Sequence, residues 1–537
     1  MMLAIRLAPC LLCALLASGT ATAAAGSPGG EGEAPLRVGE ITIRTHQIFD
    51  VDDPRENRAL YRAANRLHLR TREAVIRAQL LFQSGDAYST ELLEETERNL
   101  RQLSFLREPS VRAERIHDGV VDVVVDTYDV WTLQIGPSFG RSGGTNHSSF
   151  SFEDQNFVGH GKTLILSVDQ TVDRNTSTIE WRDPNIAASQ WRDDLLWSDT
   201  SDGRVREVDI WRPFYSLATR RSFGLLLGDG SLIDPRYALG DRYDGYRHDK
   251  SSLDLYTGWS NGLQDGRAIR RTLGWRMRHD EFQAVPETLA PLPADRRLNY
   301  PYASVEWVND NFATTRDLEQ IERTEDQQFG LSGSALLGLA TRAAGSDRNA
   351  AIIELAGNYG ADLGDAHQLF TVATWKSRIE NGRNTDGRFE AAASWYWRHS
   401  ARLLTNVKLT LARGSSLDLD HYYTLGGDNG LRGYPLRFQQ GTGLTLLKFE
   451  ERYFTGYSLW RLFDVGAAAF VDAGRIHGGN PLGAPAYGWL HDAGIGLRLG
   501  NSRSSLGNVI HIDLATPLNR FNGVRGIQWL VSTHATF

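Results

Sequence analysis

Cysteine is nearly absent from this chain. Only Cys10 and Cys13 occur among 537 residues, and both fall in an N-terminal segment that we expect to be removed. The remaining chain would contain no disulfide bond, no thiolate metal site and no cysteine nucleophile. Since exported proteins can form disulfides, we expect this chain to be stabilised in another way.

Long apolar runs are also missing, apart from a short one at the start. Arg6 precedes an apolar stretch over residues 7–17, and the small residues Ala21-Thr22-Ala23 follow. This pattern predicts a secretory signal peptide over residues 1–25, cut near residues 23–25. A membrane anchor is the alternative, although the run is shorter than the ~20 residues of a spanning helix. After residue 25 no stretch is long and apolar enough for such a helix.

An excess of basic residues is missing as well. The formal net charge is −7, and loss of the signal peptide removes only the single charge of Arg6, which gives −8. This balance provides no electrostatic surface for nucleic acid. We therefore expect no nucleic-acid partner.

Motifs of catalytic chemistry are scarce. Residues 140–144 match G-x-S-x-G, but they lie between two predicted strands, whereas a nucleophile elbow needs a strand-to-helix turn. The 14 histidines show no H-E-x-x-H or similar metal spacing. Asp52-Asp53 and the pair Asp418 and Asp420 could bind calcium weakly or lie in solvated turns. We predict that the protein is not an enzyme and uses no cofactor and no metal.

The N-terminal part divides into a linker and a small α+β unit. Residues 26–37 have the composition of a flexible linker, and residues 38–128 form the unit. A strand covers 38–45, a helix follows Asp52-Asp53-Pro54, and a second helix covers 71–82. A third helix is capped by Ser89 or Thr90, and strands over 110–116 and 120–127 follow. This order alone fits any exported α+β domain.

From Asp129 onward, short segments alternate between apolar and polar residues, as in 402–411 and 492–499. Alternation places one apolar and one polar face on each strand, which fits a soluble sandwich, a propeller or a membrane barrel. Export, full charges on the polar face and aromatic clusters such as Trp395-Tyr396-Trp397 favour a transmembrane antiparallel β-barrel over residues 129–537. The alternating segments number 16 to 20.

The last segment, GIQWLVSTHATF, ends in an aromatic residue. Trp529, Val531, Thr533, Ala535 and Phe537 fall on one face of this predicted strand. Phe537 would lie at the membrane interface, where aromatic residues of barrels concentrate. We interpret Phe537 and Trp529 as a C-terminal signal for barrel assembly.

The decapeptide GGDNGLRGYP, residues 426–435, combines four glycines with one base, Arg432. Alone it is typical of an external hairpin turn. It is accompanied by F-x-D-x-G over residues 470–474, E-x-R over 450–452 and N-F-x-G-x-G over 156–161. Together these motifs resemble the signatures of the BamA/TamA/TpsB outer-membrane assembly and secretion superfamily, also called the bacterial surface antigen family.

This resemblance implies a barrel of 16 strands with the loop over residues 414–441 folded into its lumen. Arg432 would then reach Asp472 on the lumen wall, since a guanidinium offers a fork of donors that fits a carboxylate. The neighbouring Gly427, Gly433 and Tyr434 would complete this loop-to-wall lock, with the glycines allowing positive φ and a close approach. A second set of residues would line the lumen, because Leu447 and Phe449 alternate with them toward lipid: Lys448, Glu450 and Arg452.

The resemblance also implies a function. The 38–128 unit is similar to a POTRA domain, present once here, which would receive unfolded outer-membrane or secreted client proteins in the periplasm by strand addition. The barrel, in the outer membrane of a Gram-negative bacterium, would insert those clients into lipid or pass them on, with periplasmic chaperones or lipoproteins as further partners. The alternatives are a passive outer-membrane pore or receptor, and a secreted soluble β protein that binds a ligand.

Overall fold

A computed structural model describes residues 35–479, 487–505, 509–521, 524 and 526–534 of the chain. The expected signal peptide, most of the linker and Phe537 lie outside the described residues. No helix in the described part is both long and apolar enough to span a bilayer.

The N-terminal unit is a three-stranded sheet with three helices. The sheet has the order β1-β3-β2, in which β1 runs parallel and β2 antiparallel to β3. Its elements are β1 (Arg37–His46), α1 (Ala59–Leu67), α2 (Glu73–Arg77), α3 (Thr90–Arg101), β2 (Leu106–His117) and β3 (Val120–Asp129). One face of the sheet and the apolar face of α3 share a core that includes Val38, Leu93, Leu100, Val123 and Val125.

Two of the predicted helices differ from the structure. The helix expected directly after Pro54 begins only at Ala59, because Asp53 accepts a hydrogen bond from the Arg55 amide (2.9 Å) and Glu56 accepts one from the Asp50 amide (2.9 Å). Such local bonds favour turns over helix. The helix expected over 71–82 is confined to Glu73–Arg77. The third begins as predicted, since the Ser89 hydroxyl accepts from the Leu92 amide at 3.3 Å.

The rest of the chain closes into one antiparallel barrel. Its first half consists of β4 (Leu133–Ser142), β5 (Thr145–Asp154), β6 (Thr163–Gln170), β7 (Asn175–Asp183), β8 (Arg192–Thr200), β9 (Gly203–Arg212), β10 (Arg221–Ala238), β11 (Asp241–Gln264), β12 (Arg267–Ala284) and β13 (Arg296–Asn309). Several short elements are not part of the wall: the hairpin β14 (Phe312–Arg316) and β15 (Thr324–Gln328) and three 3₁₀ turns, Phe157–Gly159, Ile186–Ala188 and Arg342–Ala344.

The second half of the wall contains β16 (Gly330–Ala340), β17 (Ala350–Gly364), β18 (His367–Glu380), β19 (Arg383–Ser400), β20 (Leu403–Ser415), β23 (Gly443–Leu459), β24 (Phe463–His477), β25 (Leu490–Gly500), β26 (Val509–Pro517) and β27 (Gln528–His534). Between β20 and β23 the chain forms the small ladder β21 (Tyr423–Leu425) and β22 (Gln439–Gly441).

The prediction of a closed antiparallel barrel is confirmed, but the number of 16 strands implied by the resemblance is wrong. The wall has 20 strands, the upper end of the segment count. The strands from β6 to β9 span only 8 to 10 residues each, so that four strands fit between residues 163 and 212. The residues 140–144 end β4 and form the turn into β5, as predicted.

The two faces of the wall differ in chemistry. On β23, Leu447 and Phe449 point outward and are 41% and 42% exposed, while Glu450 and Arg452 point inward and are buried. The same alternation recurs on β25 and β26, where Ile495 and Leu514 are exposed. The outer face is therefore apolar and the inner face polar and charged.

The N-terminal unit covers one mouth of the barrel. We call this mouth the near end, because β4 starts there directly after β3, and the opposite mouth the far end. The unit contacts six near-end connections, through the following pairs: the Arg72 amide with Gly159 O (3.0 Å), Gln190 Nε2 with Ala78 O (2.9 Å), the Leu217 amide with Glu95 (2.7 Å), Arg101 with Asp326 (2.7 Å), Tyr61 OH with Trp460 O (2.8 Å) and Arg503 with Glu56 (2.6 Å).

The N-F-x-G-x-G motif over residues 156–161 forms one of these contacts. Buried Asn156 donates to the Thr71 hydroxyl at 2.8 Å, and the Thr71 amide and hydroxyl donate to buried Asp129 at 2.8 and 2.7 Å. Gly159 has a φ of +73°, and a Cβ there would lie 2.4 Å from the Arg70 carbonyl oxygen. Glycine is therefore required by both the backbone and the close approach of the unit.

We predict that Gly159→Ala loosens the N-terminal unit from the barrel. The added methyl group overlaps the Arg70 backbone, so we expect faster limited proteolysis between the unit and β4. The barrel itself should keep the gel mobility of the folded form when the sample is not heated. Gly266→Ala is the matched control, because Gly266 lies in another near-end turn at a φ of +71° with nothing within 4 Å of its Cβ position. Equal proteolysis of both variants would contradict the docking role of Gly159.

Candidate functional site

The connection between β20 and β23, residues 416–442, starts at the far end and turns back into the barrel. We call it the inward loop. Leu425, Leu431 and Tyr434 on it are fully buried. They form an apolar cluster with the wall residues Leu446, Ile476 and Leu490 and with Phe438 of the loop. The loop therefore packs against the inner face of the barrel.

Arg432 is the charged tip of the inward loop. Its Nε and Nη2 donate to the two carboxylate oxygens of Asp472 at 2.8 and 2.9 Å. Its Nη1 donates to Glu450 at 2.9 Å and to Asp513 at 3.3 Å. The guanidinium also lies over the Phe470 ring, 3.3 Å from the centroid. This fork arrangement uses the planar geometry of arginine, which a lysine could not reproduce.

Two further arginines complete the charge network around Arg432. Glu450 accepts from Arg452 Nε at 3.0 Å and from Arg498 Nη2 at 3.1 Å, and Arg498 also donates to Asp513. All five of these side chains are less than 10% exposed. Charges at this depth are tolerated only when they are paired and hydrogen-bonded. Removing one member would therefore leave its partners buried with fewer opposite charges.

The glycines beside Arg432 allow the loop to touch the wall. A Cβ at Gly433 would lie 2.8 Å from the Asp492 Cβ and 2.9 Å from the Pro517 nitrogen, and the Gly433 amide donates to Asp492 at 3.1 Å. A Cβ at Gly427 would lie 2.3 Å from the Tyr434 carbonyl oxygen. Neither glycine has a positive φ, whereas Gly430 does. The predicted positive φ is thus found at Gly430. Gly427 and Gly433 are explained instead by the close approach of neighbouring atoms, which leaves no room for a Cβ.

Tyr434 ties the loop to the strands on the C-terminal side of the barrel. Its hydroxyl donates to the His491 carbonyl oxygen at 3.1 Å and lies 3.0 Å from Asn519 Oδ1. Its ring packs against Phe438 and Phe521. Tyr434 therefore combines apolar packing with a satisfied polar end.

A second charged tether holds the start of the inward loop. Its charges have the opposite signs to those at Arg432. Here the acids belong to the loop and the arginines to the wall: Arg296 on β13 donates to Asp420 at 2.6 and 2.7 Å, and Arg378 on β18 donates to Asp418 at 2.8 and 3.1 Å. Burial opposes ionisation of Asp420, but the Arg296 hydrogen bonds outweigh it and hold the pKa of Asp420 below its ordinary value.

The acids of this second tether were candidates for weak calcium binding. Asp386, Asp418 and His421 indeed bring ligand atoms within 4.8 Å of one another. However, Arg378 lies 2.8 Å from Asp418, and His421 lies 2.8 Å from Asp386. Because Arg378 balances Asp418 and His421 is hydrogen-bonded to Asp386, we interpret the group as a network of ion pairs and hydrogen bonds rather than a solvated turn.

A third tether lies at the end of the inward loop. Arg437 donates to Asp173, in the far-end turn between β6 and β7, at 2.9 and 3.2 Å. Gln440 donates to the Tyr237 carbonyl oxygen at 2.6 Å. Burial disfavours the charge of Asp173, but hydrogen bonds from Arg437 and Tyr237 prevail and lower its pKa. The loop is therefore attached to the wall on several sides of the lumen.

The charge network also reaches a loop that enters from the near end. Arg452 Nη1 donates to the carbonyl oxygen of Leu318, in the near-end connection between β13 and β16. Leu318 and Ile321 of this connection are buried against the inward-facing Leu404 and Phe454. Arg452 thus contacts the near-end connection directly and the inward loop through Glu450. The network therefore links the two loops that enter the lumen from opposite ends.

The barrel closes at a weakly paired seam between β27 and β4. One register pair, Val531 with Arg141, is described there, whereas β26 and β27 share seven. Trp529 stacks on Phe139 with ring centroids 6.1 Å apart, and Arg141 lies over the Trp529 ring. Between the residues that the structure describes, this seam has more side-chain packing than backbone pairing.

The structure brings most predicted site residues together at one place. Arg432, Asp472, Glu450 and Arg452 are in contact, and Gly427, Gly433 and Tyr434 line the same stretch of loop. Lys448 faces the lumen on β23, where its register partner on β24 is Asp472. Trp529 lies at the seam, 45% exposed, and Phe537 falls outside the described residues.

Other residues of the site have no counterpart in the sequence motifs. Arg498 and Asp513 belong to the network but lie on β25 and β26, away from the motif positions. A charged residue at an inward-facing position of an alternating strand was the available signal for both. Arg296 and Arg378 carry the same signal on β13 and β18.

Comparisons with known proteins return structural similarities only. No family model and no curated protein matches the sequence. Solved structures that it resembles include BamA from Haemophilus ducreyi lacking POTRA domains 1–3 (12% identity, 91% of this chain and 83% of that chain covered, TM-score 0.36). CdiB from Acinetobacter baumannii (10%, 93% and 73%, 0.48) and CdiB from Escherichia coli (13%, 92% and 76%, 0.46) are also similar.

We predict that Arg432→Ala and Asp472→Asn each destabilise the folded barrel. Arg432→Ala leaves the buried Asp472 carboxylate without its arginine, and Asp472→Asn removes the bidentate acceptor among the three carboxylates that balance Arg432. Breaking a buried pair costs about 3–5 kcal/mol. The temperature at which gel mobility converts from the folded to the unfolded form should fall.

The control is Arg204→Ala on the same barrel. It removes the ion pair with Asp229, whose side chains are 60% and 54% exposed, and exposed pairs contribute about 0–1 kcal/mol. If the Arg432 and Asp472 variants convert at the same temperature as Arg204→Ala, the lock does not stabilise the barrel.

Proposed function

We propose that this protein is an assembly or translocation factor of the outer membrane of a Gram-negative bacterium. The apolar outer face supports the membrane location, since Leu447, Phe449 and Ile495 are exposed there and would otherwise lie in water. A closed ladder also satisfies its backbone groups internally, as lipid requires. In this orientation the near end and the N-terminal unit face the periplasm, and the outer-membrane lipid is a direct partner.

The N-terminal unit would receive an unfolded client along the free edge of its sheet. β2 is the outer strand of the order β1-β3-β2, and its residues 112–117 are all exposed. An exposed edge offers unpaired backbone groups to an incoming extended segment. The opposite edge strand, β1, is partly covered, because the Gly85 amide donates to the Val38 carbonyl oxygen. We expect a POTRA-like role for β2, with periplasmic chaperones or lipoproteins as additional partners.

The observation that carries this proposal is the seam between β27 and β4. A single described register pair, Val531 with Arg141, contrasts with the long ladders elsewhere in the wall. Among the described residues, opening this seam breaks little backbone pairing, so that a client strand could pair with β4 and leave sideways into lipid. Such a step needs no covalent chemistry, because client folding and burial in the bilayer supply the free energy.

The inward loop would control the interior during this process. Its three tethers fix it to β24, β13, β18 and the turn at Asp173, so that movement of a client through the lumen requires their release. Ion pairs and hydrogen bonds can separate and re-form reversibly, unlike a covalent link. We expect the Arg432 lock to set the shape of the resting barrel.

A passive pore or receptor is the alternative function. A permanent channel needs an open lumen, whereas here loops enter from both ends. A soluble secreted protein is a further alternative, which would require the apolar outer face to be stable in water. Fractionation without detergent distinguishes a soluble secreted protein from a membrane barrel, since only the soluble protein would remain in the supernatant.

We predict that a disulfide across the seam abolishes client insertion. The pair Val531→Cys with Arg141→Cys joins register partners of β27 and β4, and oxidation should stop assembly while reduction restores it. The matched control is Val531→Cys with Ile512→Cys, which joins register partners of β27 and β26 within the ladder. Assembly that continues under oxidation in the seam variant would exclude lateral exit by this route.

We also predict that depletion of the protein removes specific barrels or secreted proteins from the outer-membrane proteome. Quantitative mass spectrometry after depletion would identify them, and wild-type protein supplied in trans should restore them. A passive pore or receptor predicts an unchanged set of barrels with altered solute uptake or binding. That outcome would contradict the proposed function and favour a passive pore or receptor.

A further inference from the structure

A cavity of about 580 Å³ lies between the N-terminal unit and the near end of the barrel. Arg107 of β2 reaches it from the unit, and Arg323, Arg503, Phe454 and Tyr457 reach it from the barrel connections and wall. This volume is within the range of sites that hold small ligands. The cavity is separate from the network around Arg432.

Two of its arginines have no carboxylate partner in the described residues. Arg107 Nη2 donates to the Ile48 carbonyl oxygen at a long 3.4 Å, and its buried Nε has no hydrogen-bond partner. Arg323 Nη2 donates to the Leu106 carbonyl oxygen at 3.2 Å. A carbonyl oxygen accepts a hydrogen bond but does not neutralise a cation. Neither side chain therefore forms an ion pair with a described carboxylate, although acids line the same cavity.

Of the three acids that line the cavity, one is ion-paired and two accept hydrogen bonds from hydroxyl groups. Glu322 pairs with Arg316 at 2.6 Å, and Asp464 accepts from Ser502 at 2.8 Å. Glu108 is exposed and accepts from the Thr324 hydroxyl at 3.1 Å. The fourth arginine, Arg503, pairs with Glu56 at 2.6 Å. These contacts leave Arg107 and Arg323 as the two cations of the cavity whose charge is not balanced by an ion pair.

The electrostatic environment of these arginines is unfavourable without a further anion. Burial and repulsion from Arg503 lower the pKa of Arg107 to about 10. Burial also lowers the pKa of Arg323. A buried charge that lacks a partner costs stability, so natural proteins retain one where something else compensates it.

We propose that this cavity binds an oxyanion, a carboxylate or phosphate group, between the guanidinium groups of Arg107 and Arg323. Guanidinium forks match both groups, because each presents two or more oxygens in one plane or face. The anion would bridge β2 of the N-terminal unit and the connection that precedes β15. Binding would therefore strengthen the attachment of the unit to the barrel. This effect does not depend on the identity of the client under the proposed function.

The test uses the full-length protein in detergent, with two probes. Isothermal titration calorimetry with inorganic phosphate and with tri-glutamate should show saturable binding of at least one of them, and tri-glutamine should not bind. Arg107→Gln and Arg323→Gln should each weaken binding about tenfold or more, as expected when charge-assisted hydrogen bonds are lost. Arg115→Gln is the control, because Arg115 lies exposed on the same strand and pairs with Asp122 at 2.7 Å.

The pattern of binding identifies the source of the oxyanion. Binding of tri-glutamate alone assigns a carboxylate ligand such as an acidic peptide, and binding of phosphate alone assigns a phosphate ligand. No binding of either probe to the wild type, or equal affinity in Arg107→Gln and Arg115→Gln, would overturn the proposal.

Thermal unfolding provides a second readout that does not depend on calorimetry. The bound probe should raise the unfolding midpoint of the wild type and leave that of Arg107→Gln unchanged. Without a probe, Arg107→Gln should unfold no earlier than the wild type, because it removes an unbalanced charge. A lower midpoint for Arg107→Gln in the absence of any anion would show a structural role for Arg107 and contradict the anion site.

Discussion

The rest of this structure depends on one buried guanidinium. Arg432 is 8% exposed and contacts three carboxylates, on β24, β23 and β26. These strands belong to the run of four consecutive wall strands from β23 to β26, so that a single loop residue connects three strands of the barrel. Charges placed this deep in a protein are stable only as a complete set. Arg432 therefore attaches the inward loop to three strands of the wall through one connected set of ion pairs.

The tethers of the inward loop differ in polarity, and this difference fixes the orientation of the loop. Its tip carries the cation and finds acids on the wall, while its start carries the acids Asp418 and Asp420 and finds arginines. If the loop were rotated or shifted, like charges would face each other across the lumen. Electrostatic repulsion thus opposes incorrect placements as much as attraction favours the observed one.

The sequence predicts those parts of the fold that leave a local signature. Alternation of residues such as Leu447 and Glu450 predicts a barrel and its two faces, and the glycine-rich stretch around Arg432 leads to the lock residues. The helix at Thr90–Arg101 is also visible, because its cap and its apolar face are local. These features depend on neighbours within a few positions along the chain.

Features that depend on distant contacts are not visible in the same way. The pairing of Arg296 with Asp420 joins residues 124 positions apart, and that of Arg101 with Asp326 joins residues 225 apart. No local pattern distinguishes an inward arginine that pairs with a loop from one that faces water. The strand number was equally hidden, because strands of 8 and 24 residues both satisfy the alternation.

A wall of 20 strands has a consequence for the cell that carries it. Barrel diameter grows roughly in proportion to strand number, and about 16–18 strands already leave a water-filled passage. In this wider ring, the permeability barrier must come from the segments that enter the ring rather than from the wall. Displacing them without a replacement would let ions and small solutes equilibrate across the bilayer. Under the proposed function, a client that passes through the lumen must itself block the flow of solutes during its passage.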